Sequence, residues 1–200
     1  MKLGVLLLAA GASSRMGRPK LLLPWKEGTV LSHLLNQWQQ IGPCQIAVVH
    51  SAANVALTNE LDRLHWPRSR RIPNPAPELG MFSSIQCAAR WKGWVADLTH
   101  WAIALGDQPL VRSETLCQLI AFATAHSTSV SQPSRLGRGR HPVILPAGVF
   151  SRLADAEAAD LKQFLLATAQ TPARCEMEDP GLDLDLDDPN DYERALIALG

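Results

Sequence analysis

A chain of 200 residues, 46% hydrophobic and 19% charged, has the make-up of a soluble globular protein and the length for a sizeable core. Its formal net charge is zero, so no overall field points to nucleic acid or an anionic membrane as partner. Four widely spaced cysteines without a C-x-x-C pair argue against a zinc site or a disulfide framework and fit a reducing cytoplasm.

Lys2 to Ala9 is a continuous apolar run closed by glycine, which predicts a strand buried on both faces of a parallel sheet. The run resembles a signal-peptide core, but it is too short to span a bilayer and cations follow it. Val30 to Ile41 carries apolar residues at helical spacing and stops at Gly42-Pro43. Gln45 to Val49 predicts a strand, Ala52 to Leu64 a helix, Arg70 to Ile72 a short strand in a proline-rich loop, and Met81 to Trp91 a helix. Trp101 to Leu105 is a further strand, followed by Gly106-Asp107-Gln108-Pro109. Ser113 is the expected N-cap of a helix reaching about His126. Thr128 to Gln132 and Pro142 to Leu145 predict strands around a Gly/Arg turn, with helices near Val149 to Leu153 and Ala159 to Ala167. Strands at Arg174 to Met177 and Leu182 to Leu186 and a helix at Asn190 to Leu199 complete the pattern. This alternation predicts an α/β fold with a mainly parallel, mixed sheet, helices on both faces and an antiparallel addition. A single domain is expected, with residues 1–110 as the nucleotide-binding half and 111–200 as the acceptor half.

In open α/β sheets, ligands bind beyond the carboxyl ends of the strands, which is where residues 10–20 fall. Gly11 and Gly17 let backbone N–H groups approach oxygens, Ser13 and Ser14 add hydroxyls, Arg15 adds a planar fork of donors, and Lys20 adds a compact cation. That content suits a triphosphate. Neither G-x-x-x-x-G-K-[ST] nor G-x-G-x-x-G is met, so a P-loop NTPase or a dinucleotide dehydrogenase has little support.

The stretch Leu8-Ala-Ala-Gly-x-Ser-x-Arg-Met-Gly-x-x-Lys20 resembles the opening motif of the MobA-like NTP transferases, and most closely their molybdenum cofactor cytidylyltransferase branch. The resemblance implies a Rossmann-like nucleotidyltransferase fold. It also implies that Leu8, Ala9, Ala10 and Gly11 hold the nucleotide, with Arg15 and Lys20 on the phosphates. The reaction implied is transfer of CMP from CTP to molybdopterin with loss of pyrophosphate, with a molybdoenzyme as a further partner. GTP as donor, a sugar phosphate or isoprenoid precursor as acceptor, and a non-catalytic nucleotide-binding maturation factor are the rivals.

Asp107 ends a predicted strand at the same edge. A carboxylate beside a triphosphate calls for a cation between them, and Mg²⁺ suits carboxylate, phosphate and water ligands. The segment Gly-Asp-Gln-Pro resembles its family counterpart, which makes Asp107 a catalytic and metal-binding candidate alongside Arg15 and Lys20. The second metal ligand is expected from Asp183-Leu-Asp-Leu-Asp-Asp-Pro-Asn-Asp-Tyr192. On a strand, Asp183, Asp185 and Asp187 share one face, and a divalent cation relieves their repulsion. Asp187 and Asp185 are favoured, the choice between them open, and Asp191 is assigned to the start of the last helix. The segment resembles the family's Asp-x-Asp-Thr-Pro-Glu-Asp-Tyr, departing at Asp188 and Asn190.

Asn74-Pro-x-x-x-x-Gly80-Met-x-Ser-Ser84-Ile resembles the family segment lining the base pocket, which makes Asn74, Gly80 and Ser84 nucleotide-binding candidates. Ser83 and Ser84 suit a helix cap as well as a base contact. Gly137-Arg-Gly-Arg-His-Pro142 resembles the stretch near the acceptor, with Arg140 in place of a common glycine. Arg140 and His141, with Arg135 and Arg138, are placed to receive an anionic acceptor, or else form a solvated basic hairpin.

Overall fold

The computed structural model describes residues 1–199. Strand β1 (Leu3–Ala9) is followed by a small hairpin of β2 (Pro24–Trp25) and β3 (Gly28–Thr29), and then by helix α1 (Val30–Ile41). Next come β4 (Gln45–Ser51), α2 (Val55–Arg63), β5 (Arg71–Asn74), α3 (Met81–Arg90) and β6 (His100–Leu105). The remainder runs α4 (Ser113–Ala125), β7 (Ser131–Arg135), β8 (Arg138–Gly139), β9 (Val143–Pro146), α5 (Ala147–Phe150), α6 (Leu161–Ala167), β10 (Ala173–Glu176) and α7 (Pro189–Leu199).

The main sheet has the order β10-β7-β9-β6-β1-β4-β5, with β8 paired to β7. Strands β5, β4, β1 and β6 are mutually parallel, while β9 runs antiparallel to both β6 and β7. This is the mixed, mainly parallel sheet read from the sequence, antiparallel addition included. Every residue of β1 is buried because both faces of this central strand are covered. Val5, Leu7 and Ala9 join a core with Leu31, Leu34, Leu57, Leu61, Leu116 and Leu119 of α1, α2 and α4. Leu6 and Leu8 join the opposite core, with Ile85, Phe150 and Phe164 of α3, α5 and α6. The two-residue period of a strand sorts alternate side chains to the two faces. No helix among the described residues is long and apolar enough to cross a membrane.

Three sequence-based expectations are corrected. Ser113 is the first residue of α4 rather than its cap. No side chain caps α4; the buried Asp179 instead holds the entry to the helix, its Oδ2 accepting from Arg112 N–H at 2.9 Å and Thr115 Oγ1–H at 2.6 Å. The expected strand at 128–132 begins at Ser131, because residues 127–129 form a turn closed by Ser129 N–H donating to the His126 carbonyl. The third correction concerns Leu182 to Leu186, which is not a strand. Pro180–Asp183 is a 3₁₀ turn, and residues 184–187 follow it as irregular chain. The backbone N–H groups of 184, 186 and 187 donate to the carbonyls of Gly181, Asp107 and Asp185 rather than to a ladder partner. Leu182 and Leu186 both bury in the α1 core, so the segment is anchored every fourth residue.

Burial lowers the pKa of His33, His100 and His141 below the ordinary 6.5. Their folded pKa values lie below the unfolded one, so their contribution is present above pH 6.5 and is lost as pH falls through the folded values. Urea unfolding is expected to show a lower midpoint at pH 5.5 than at pH 7.5, each histidine adding at most about 1.4 kcal/mol per pH unit. The variant His100→Gln should flatten that dependence. A midpoint indifferent to pH over this range contradicts the prediction.

Candidate active site

Strand order reverses at β1, from which the chain builds outward to β4 and β5 before returning to β6. A crevice at such a switch point, beyond the carboxyl ends of the strands, is the general ligand position in this architecture. A cleft of about 240 Å³ lies there, lined by Leu8, Ala9, Ala10 and Gly11 from β1 and its loop, and by Lys20 and Leu21. Pro77 and Gly80 line it from the β5–α3 connection, Met81 and Ser84 from the first turn of α3, and Leu105, Gly106 and Asp107 from the end of β6. Segments far apart in sequence therefore converge on one space, including eight residues singled out above: Leu8, Ala9, Ala10, Gly11, Lys20, Gly80, Ser84 and Asp107.

The loop from Gly11 to Pro19 is held by Met16, which is buried, and by Ser13. Met16 N–H donates to the Ser13 carbonyl at 3.1 Å, and Lys20 N–H donates to Ser13 Oγ at 3.2 Å. Ser13 thus ties the loop to the backbone of Lys20 and is not among the residues lining the cleft. Gly106 precedes Asp107 because β6 ends in contact with β1: a Cβ there would sit 2.6 Å from the Leu8 carbonyl oxygen.

The charged groups form one network. Lys20 Nζ lies 2.5 Å from Asp107 Oδ2 and 3.6 Å from Asp187 Oδ1, and Arg15 Nη2 lies 3.0 Å from the same Asp187 oxygen. The side chains of Lys20 and Asp107 are only 15% and 21% exposed, so their pairing is weakly screened. The irregular segment at 184–187 is carried here by Leu186 N–H donating to the Asp107 carbonyl at 2.9 Å. Gly181 makes the approach possible, since a Cβ there would meet the Leu110 carbonyl oxygen at 2.1 Å.

Because this segment is not a strand, its three aspartates diverge. Asp187 faces Lys20 and Arg15. Asp185 accepts a hydrogen bond from Gln108 Nε2 at 2.7 Å. Loss of hydration, and then the negative charges of Asp107 and Asp187, raise its pKa. Asp183 is instead shared by Arg135 and by Arg140, whose Nη2 is 2.5 Å distant. Asp191 accepts from the backbone N–H groups of Asp187 and Asp188, and donates its own N–H to Asp188 Oδ1 at 3.0 Å, which fixes the start of α7.

Asn74 and Ser84 are buried, and their hydrogen bonds fix a polarity. Asn74 Oδ1 accepts from Ala76 N–H, so Nδ2 is the donor, giving its two hydrogens to Ser83 Oγ and Ser84 Oγ at 2.9 Å each. Ser83 donates onward to the carbonyls of Gly80 and Ala76. Ser84 accepts, lines the cleft and retains its own hydroxyl hydrogen to donate.

A second cavity, of about 230 Å³, adjoins this region and is lined by Leu105, Gln108, Arg140, His141, Asp183 and Asp185 among others. His141 Nδ1 lies 3.4 Å from the Ile103 carbonyl, and burial depresses its pKa, so the ring is neutral near neutral pH. Positive charge in this cavity therefore comes from Arg140, with Arg135 beside it. Sequence reasoning gave no role to Gln108, which is buried and holds Asp185, or to Pro77, which walls the cleft. A glutamine directly after the candidate metal ligand was the available signal for the first.

The donor set fits a hard divalent cation. Two carboxylates, Asp107 and Asp187, border one cation position, a small protein contribution of the kind Mg²⁺ accepts when waters and phosphate oxygens complete its shell. No cluster of three or more His, Cys, Asp or Glu with ligand geometry occurs among the described residues.

A doubly covered sheet with a basic loop and a carboxylate meeting at its switch point defines a nucleotide-handling α/β protein. Residues 5–173 match the MobA-like NTP transferase domain, and the chain belongs to that family of nucleotidyltransferases. Among curated relatives, the bifunctional protein GlmU of Stenotrophomonas maltophilia (strain K279a) is 31% identical over 160 residues, 78% of this chain. The chain spans only 31% of GlmU's length. The nicotine blue oxidoreductase of Paenarthrobacter nicotinovorans is 30% identical over 164 residues, covering 77% of this chain and 76% of that protein. Among solved structures, Rv0371c of Mycobacterium tuberculosis H37Rv superposes with a TM-score of 0.75 at 24% identity, over 98% of this chain and 99% of that one. That protein has also been solved as a complex with manganese.

Proposed function

We propose that this protein is a divalent-metal-dependent nucleotidyltransferase that transfers CMP from CTP to the phosphate of molybdopterin, releasing pyrophosphate. The observation carrying the reading is the convergence of Lys20 and Arg15 with Asp107 and Asp187 at the rim of a cleft formed by residues 8–11 and 77–84. A cationic pair for the β- and γ-phosphates and a carboxylate pair for a metal are the two halves of a metal–triphosphate site.

In this reading the backbone of Leu8 to Gly11 and the β5–α3 connection hold the nucleoside. The Ser84 hydroxyl, which accepts from Asn74 and keeps its own hydrogen, donates to an acceptor on the base such as the O2 of cytosine. Lys20 and Arg15 hold and neutralise the leaving phosphates. When bound, the metal (Mg²⁺ in this reading) supplies charge neutralisation between the carboxylates and the triphosphate. Arg140, with Arg135, receives the anionic acceptor in the adjoining cavity, on the far side of Gln108 and Asp185. An acceptor phosphate oxygen then attacks the α-phosphorus as the bond to the β-phosphate breaks. No general base is needed, because a phosphate monoester is largely ionised at neutral pH. The catalytic contribution is therefore positioning and electrostatics. All four cysteines are free, in keeping with action in a reducing cytoplasm.

Pyrophosphate release is measured with CTP, GTP, ATP and UTP, each with and without molybdopterin. Release with CTP that requires both molybdopterin and Mg²⁺ is expected. Preference for GTP transfers the reading to a guanylyltransferase, and binding without release under every condition overturns it in favour of a nucleotide-binding maturation factor.

A further inference from the structure

The free protein already has a cation between its two metal-facing carboxylates, and it is a side chain. Lys20 Nζ is within 2.5 Å of Asp107 and 3.6 Å of Asp187, and an ammonium and a metal ion cannot share that position. The carboxylates are fixed by backbone. Asp107 follows the close contact between Gly106 and β1, and Asp187 N–H donates to Asp191 Oδ2 at 3.1 Å. The backbone of Lys20 is fixed as well: its N–H is bound to Ser13 Oγ, and the next residue, Leu21, is buried in the α1 core. The movable part is the lysine side chain alone.

Resting on the reading of Asp107 and Asp187 as the metal-facing pair, we propose that Lys20 is a placeholder: its ammonium stands in the free protein where a divalent cation stands in the loaded one. Metal and triphosphate then load together, and neither binds tightly alone. A metal arriving by itself must expel an ammonium from its two counter-ions, and the further carboxylate nearby, Asp185, is already held by Gln108. A triphosphate arriving by itself meets two carboxylates, with Lys20 and Arg15 already paired. When both arrive, the pairs exchange. The carboxylates turn to the metal and the two cations to phosphate oxygens, so each broken ion pair is replaced by another.

The test reads metal binding directly, by Mn²⁺ electron paramagnetic resonance on the full chain without nucleotide. Lys20→Met is expected to bind Mn²⁺ at least about tenfold more tightly than the parent, because an adjacent positive charge has been removed from the ion's own position. The parent is expected to bind the Mn²⁺ complex of inorganic tripolyphosphate more tightly than metal-free tripolyphosphate, and Lys20→Met to lose most of its affinity for that complex. A variant that binds Mn²⁺ no better than the parent overturns the proposal. If circular dichroism shows Lys20→Met unfolded, Lys20→Gln is read in the same way. Failure of the transferase reading would appear separately, as absence of pyrophosphate release with all four triphosphates, and leaves the Mn²⁺ comparison free to decide this point.

Discussion

Replacing Asp107 with asparagine is expected to lower kcat/KM for pyrophosphate release by about 10³-fold, roughly 4 kcal/mol of transition-state stabilisation, while the protein stays folded. The loss follows from position. Asp107 sits at the end of β6, pinned by Gly106 against the Leu8 carbonyl, and faces the cleft. Asparagine preserves the shape but removes the charge that a metal beside the triphosphate requires. Folding should change little, because Lys20 keeps Asp187 as a partner and neither side chain belongs to the apolar core. Steady-state kinetics with Mg²⁺ and thermal melting on the same preparation check both halves. Full activity in a folded Asp107→Asn protein would remove Asp107 from the metal site.

The second large effect is a graded one along the tail. Asp187→Asn is expected to cost about 10²-fold in kcat/KM, since its oxygen faces both Lys20 and Arg15. Asp185→Asn should cost about tenfold, because the asparagine oxygen still accepts from Gln108 while the charge next to Asp107 is lost. Asp183→Asn should leave the nucleotide KM unchanged and act only on the acceptor, by less than about tenfold, because its partners are Arg135 and Arg140. Kinetics with the two substrates varied separately rank the three. An Asp183→Asn protein as damaged toward nucleotide as Asp187→Asn contradicts the assignment.

This ranking shows where the sequence was legible and where it was not. The apolar run of β1, the helical spacing of α1 and the glycine stops located the main elements within a few residues, since these signals are local. The cleft-lining stretch Leu8 to Gly11 and Asp107 fell at strand ends, where α/β architecture places ligands. The aspartate tail was misread because alternating Asp and Leu imitate a half-buried strand. What decides its path lies far away in sequence: the Leu110 backbone that only Gly181 can approach, and the Asp107 carbonyl that accepts from Leu186. The roles of Asp179 in holding the entry to α4 and of Gln108 in holding Asp185 were hidden for the same reason, each being a contact across more than sixty positions. His141 was legible as a neighbour of Arg140, but its neutrality comes from burial, which no spacing reveals.

The central claim is nucleotidyl transfer, and the fate of the α-phosphate tests it most directly. CTP labelled at that position is incubated with the protein, Mg²⁺ and molybdopterin, and the products are separated. The label should move into the acceptor as a cytosine dinucleotide, with one pyrophosphate released for each transfer and none from the Asp107→Asn protein. Label recovered as CDP with orthophosphate, or left wholly in CTP while the protein binds it, would contradict the account.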